Sequence, residues 1–139
     1  MKARRIEGLD SAGPLRSNAA RIVQTRLDEL RSFAEQALAP DASMAQHDMR
    51  IAAKRLRYLL EIVGPCIGEP AEPARRAAKE LQSLLGDVHD CDLTIAEVKA
   101  IASLAEALRE RRERRFQEFV GLWRAEASRG TWAALEAAI

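Results

Sequence analysis

The chain has 139 residues, 47% of them hydrophobic, 31% charged and 4% aromatic. That length makes one ordinary domain with a core of its own, in no need of a disulfide or metal staple. A net charge of +1, from 22 basic and 21 acidic residues, does not by itself call for a polyanion, and no stretch approaches the roughly 18 apolar residues of a spanning helix.

Residues 1–13 read as a flexible N-terminal segment and residues 14–139 as a single helical domain. Met1 to Pro14 is polar and basic without an apolar stretch, so no signal peptide is expected and the cytoplasm is the default location. Gly8, Gly13 and Pro14 lead into the first helix, and Pro14 fits its first turn. Apolar residues from Ala20 through Ile22, Val23, Leu27, Leu30, Phe33 and Ala37 keep helical spacing until Ala39-Pro40-Asp41 breaks it. A second helix is predicted from Ser43 or Ala45 to Val63, stopped by Gly64-Pro65. After a loop from Gly68 to Pro73, a third runs through Leu85 and onward past Gly86 to about Ala100. Gly86 marks a kink or a close packing point. Ser103-Leu-Ala-Glu106 has the form of a capping box and opens a fourth helix to about Ala127. Gly130 ends it, and Thr131 to Ile139 forms a short terminal helix. No strand pattern, hairpin dipeptide, heptad array or tandem repeat interrupts this. The expected fold is all-α, an antiparallel four-helix bundle with a short C-terminal helix.

The bases are 18 Arg and only 4 Lys. Arg presents a planar fork of donors suited to phosphate, although Arg and the 26 Ala also fit a GC-rich genome, so placement must decide. On the second helix His47, Arg50, Lys54, Arg57 and Tyr58 fall within roughly 100° of one another, opposite Met49, Leu56, Leu59, Leu60 and Val63. A solvated face usually mixes signs. This one holds no acid between His47 and Arg57, and it is long enough for an elongated anion. Arg55 lies off the stripe. On the third helix Arg75, Lys79 and Gln82 share a face. On the fourth, Arg112 and Arg115 fall inside the apolar arc of Ile101, Leu104, Leu108, Phe116 and Phe119, with Arg111 at its margin. A buried unpaired Arg is very costly. These arginines must meet Asp87, Asp90 or Asp92, pair within their own helix, or line a wet cleft.

Other chemistries find less support. Cys66 and Cys91 lack partners at zinc spacing and read as reduced and structural. His47-Asp48 and His89-Asp90 suggest a metal-dependent phosphohydrolase, but the chain has only two histidines and such sites need more ligands. No metal, cofactor or catalysis is expected. Nucleic-acid binding would suit the basic stripe, yet Tyr58 is the only tyrosine, Trp123 and Trp132 read as core or interface residues, and stacking partners are otherwise scarce.

The segment His47-Asp-Met-Arg50-Ile-Ala-Ala-Lys54-Arg55-Leu-Arg57-Tyr58 resembles the signature helix of the conserved-histidine α-helical (CHAD) family. Leu81-Gln-Ser-Leu-Leu85-Gly86-Asp-Val-His89-Asp90-Cys-Asp92-Leu93 is similar to its second motif. The resemblance implies a helical-bundle module that binds inorganic polyphosphate without catalysis, associated with polyphosphate granules or with triphosphate-handling domains. It implies an anion surface of His47, Arg50, Lys54 and Arg57, extended by Arg75 and Lys79 and by Arg112 and Arg115. Arg55, Tyr58, His89 and Arg111 rank lower. Two departures stand out. Family members usually carry two such units in tandem, whereas this chain has room for one. It is expected either to form a homodimer that rebuilds the pair or to bind alone over a shorter footprint. His89 stands where the motif usually has Arg, so it adds charge only below about pH 6.5.

Overall fold

A computed structural model describes all residues 1–139. Five helices follow one another: α1 (Leu15–Ala37), α2 (Ser43–Ile67), α3 (Ala71–Val98), α4 (Ala102–Arg129) and the short α5 (Thr131–Ala138). The chain is all-α, as its periodicity indicates.

Three boundaries differ from the sequence reading. Gly64-Pro65 does not stop α2, which runs on to Ile67. Pro65 forfeits only its own bond to the Glu61 carbonyl, at the exposed surface, while Ile67 is buried and anchors the last turn. The stop is Gly68, whose φ of 113° is open to glycine. Consequently α3 starts at Ala71 instead of Pro73, and it runs unbroken through Gly86. The Ser103–Glu106 capping box does not form. Ile101 occupies the cap position and no side chain caps α4.

Neighbouring helices run antiparallel. Arg55 on α2 meets Glu29 on α1, Arg57 on α2 meets Gln82 on α3, and Arg112 on α4 meets Asp92 on α3. Their inward stripes form one core: Val23, Leu27 and Leu30 from α1, Met49 and Leu56 from α2, Leu81 and Leu85 from α3, Phe116 and Phe119 from α4, Trp132 and Leu135 from α5. Each such side chain contributes about 1.5–3 kcal/mol by leaving water. Trp123 stacks on Trp132 with ring centroids 5.7 Å apart. Both cysteines are free, Cys91 buried and Cys66 half-buried.

The apolar arc of α4 is buried only in part. Arg112 reaches the α1–α2 loop at the Pro40 carbonyl (3.0 Å), so the turns of α3 and α4 beyond this level extend past that loop. There Leu93, Ile101 and Leu104 remain exposed. No helix is long and apolar enough to cross a membrane.

Candidate functional site

The two motif segments lie on α2 and α3, and antiparallel packing brings them face to face. The rings of His47 and His89 stack with centroids 4.2 Å apart and planes inclined by 29°. One turn along, the Arg50 side chain crosses α3 at Gly86. A Cβ there would stand 3.4 Å from Arg50 Nε. Gly86 is thus the close packing point and not a kink, since α3 continues through it. Further along, Arg57 donates to Gln82 Oε1 and to Glu61 Oε1, both at 2.9 Å. Tyr58 lies beneath two cations, with Arg57 4.8 Å and Lys54 5.9 Å from its ring centre. Lys79 is exposed one turn from Gln82.

Charge is distributed unevenly along this groove. At one end Arg57 is held by Glu61, and Arg75 is clasped by Glu72 through two bonds of 2.8 and 2.7 Å. The Arg75 hydrogen bonds hold the Glu72 carboxyl below the usual range, and Glu72 in turn raises Arg75. Arg50, Lys54 and Lys79 have no carboxylate within ion-pair distance. Burial holds the His47 imidazole below its ordinary value of 6.5, aided by His89 and Arg50 and opposed by Asp48. His47 Nδ1 is buried with no hydrogen-bond partner.

The remaining arginines singled out in the sequence lie elsewhere. Arg112 is wrapped by protein acceptors: Asp92, the Pro40 carbonyl and Gln46 Oε1. Arg115 and Arg111 converge on Asp87 at 3.1 and 3.6 Å, and Arg115 also binds Glu118. Their inward placement on α4 is therefore explained by acids of α3. Arg55 turns to the other side of α2, toward buried Glu29 and the Met1 carbonyl. Gln82 seats Arg57, although in the sequence it stands out only as a polar residue on the Lys79 face. No three His, Cys, Asp or Glu side chains converge as a metal set.

The class is that of an all-helical unit whose α2–α3 groove is lined by two stacked histidines and by cations without a carboxylate partner. Residues 2–99 match the CHAD domain, and the chain belongs to the CHAD family. CHAD domains are linked to polyphosphate binding in general. No curated protein and no solved structure matches the chain.

Proposed function

We propose that this protein binds inorganic polyphosphate, without catalysis, in the groove between α2 and α3. The observation that carries this reading is the meeting of the two family motifs, with His47 on His89 and Arg50 over Gly86. Arg50, Lys54 and Lys79 are the cations there that no protein acid already holds. Each gives a charge-assisted bond to phosphate about twice as strong as a neutral one. Arg57 and Arg75 extend the surface only by exchanging Glu61 and Glu72 for phosphate. Arg112 and Arg115 contribute through the fold, by holding α4 against α3. A cytoplasmic protein that joins polyphosphate granules, alone or as a homodimer that pairs two grooves, accords with this chemistry.

The test is calorimetric titration of long-chain polyphosphate into the wild type and into Arg50→Ala/Lys54→Ala/Lys79→Ala, at two salt concentrations. All three side chains lie outside the core, so the variant should keep its helical circular dichroism. The expected result is binding that weakens steeply with salt and is largely lost in the variant. Equal binding by both proteins would refute the groove. Preferential binding of nucleic acid in competition would replace the ligand.

A further inference from the structure

A further group of cations without a carboxylate partner lies away from the groove. We infer that the segment before α1 carries a phosphate-binding patch of Arg4, Arg5 and Arg21, which continues the α2–α3 groove along a linear polyphosphate chain. The inference rests on the function proposed above for its ligand class, and on separate residues for its site.

The segment is docked at several points. Buried Glu29 accepts the Arg4 backbone N–H (3.3 Å). Arg26 donates to the Arg4 carbonyl (3.2 Å) and Arg55 to the Met1 carbonyl (2.9 Å). At Gly8 (φ 73°) the main chain closes over Arg21, where a Cβ would stand 2.6 Å from its Nη1. Beyond it the Asp10 N–H donates to Asn18 Oδ1 (2.9 Å), and Asn18 Nδ2 returns a bond to the Asp10 carbonyl. The segment thus runs antiparallel to α1, from the level of Glu29 to that of Asn18.

This docking sets Arg4, Arg5 and Arg21 around a hollow of about 390 Å³ floored by Gln24 and Thr25. Glu7 and Asp28 also line it, yet none of the three guanidinium groups has a carboxylate within ion-pair distance. Asp28 instead accepts from Gln24 at 2.9 Å. The three guanidinium groups outnumber the two carboxylates of the hollow, which leaves it net positive and suited to an anion. Phosphate, with several oxygens per unit, matches their forked donors.

Continuity with the groove comes from the beginning of the segment. Arg55 of α2 holds the Met1 carbonyl (2.9 Å), so the segment starts against the helix that carries Arg50 and Lys54. The patch thus lies on the α1 side of α2 and the groove on its α3 side, and a long chain can wrap across that helix from one to the other. A single phosphate has no means of using both.

The test is arginine modification by phenylglyoxal on the full chain, with and without long-chain polyphosphate, read by peptide mass spectrometry. Protection of Arg4, Arg5 and Arg21 together with Arg50 is expected. Protection of Arg50 alone overturns the patch and leaves the groove. Protection of the three without Arg50 overturns the groove and leaves the patch. Protection of none refutes both. As a second readout, Arg4→Gln/Arg5→Gln/Arg21→Gln should leave tripolyphosphate binding unchanged. It should lower the slope of log affinity against log salt for the long chain by about 2, near 0.7 per lost phosphate contact. An unchanged slope would count against the patch.

Discussion

His47 and His89, one from each motif, share a single stack with their rings 4.2 Å apart. A proton on His47 must face the His89 ring and Arg50. Burial already keeps the His47 proton affinity below that of a free imidazole. The unfolded chain therefore takes up this proton first. The stability it contributes is complete above pH 6.5 and is lost as pH falls through the lower folded value. The free protein should melt at a lower temperature near pH 5.5 than near pH 7.5, and His47→Gln should reduce the difference. Differential scanning calorimetry across that range decides it.

Phosphate reverses the sign. A bound polyanion offers an acceptor and negative charge to the imidazolium, so binding should draw in a proton. Affinity near pH 6 should exceed that near pH 8 by roughly three- to tenfold. Calorimetry in buffers of different ionisation enthalpy measures the proton uptake directly. Affinity independent of pH would remove His47 from the site.

Gly86 opposes stability to binding. Its φ is ordinary for a helix, and alanine there should gain up to about 1 kcal/mol of helix propensity. The new methyl group would press on Arg50 at 3.4 Å, and that long side chain can move aside. Gly86→Ala should therefore melt no lower than the wild type, while Gly86→Leu fills the groove and weakens polyphosphate binding several-fold. A Leu variant that is folded and binds normally would show that Arg50 and Gly86 do not face the ligand.

Arg112 should behave as a structural residue. Its fork joins Asp92 on α3, Gln46 on α2 and the loop carbonyl of Pro40. Arg112→Ala leaves buried Gln46 and the Asp92 carboxylate short of partners and should cost about 2–4 kcal/mol. Lys, with one point of charge, should restore only part of this. Urea unfolding measures both. The salt dependence of binding in the folded fraction should stay unchanged.

Glu29 holds the N-terminal segment. It is 1% exposed and accepts from Arg26, Arg55 and the Arg4 backbone. Glu29→Ala strands two arginines and should cost about 3 kcal/mol. Amide exchange in residues 1–10 should rise well before exchange in α2 or α3.

The helices were legible because Leu56, Leu60, Leu81 and Leu85 repeat at the helical period, and the basic stripe from His47 to Arg57 lies opposite such residues. The continuation of α2 past Pro65 was hidden, since it depends on the burial of Ile67 by a neighbour. The partners of Arg112 and Arg115 were visible only as alternatives, because helix periodicity does not say which α3 acid faces which α4 base. The clasp of Arg75 by Glu72 follows from their spacing of three residues and was open to sequence reasoning. The docking of residues 1–10 was not, because it turns on a buried carboxylate shared with two arginines from different helices. Nothing in the residues flanking Glu29 marks it as the one α1 acid that takes three donors.

The matched stretch, residues 2–99, ends just beyond α3, yet Phe116, Phe119 and Trp132 all come later in the chain. They supply every fully enclosed aromatic ring of the interior. The recognisable portion and the packed core thus span different lengths of polypeptide. A fragment cut at residue 99 would keep both motifs and lose these three rings from its core. It would be expected to persist only as a loosened, dye-binding globule, and any transplant of this module to another protein must carry α4 and α5 with it.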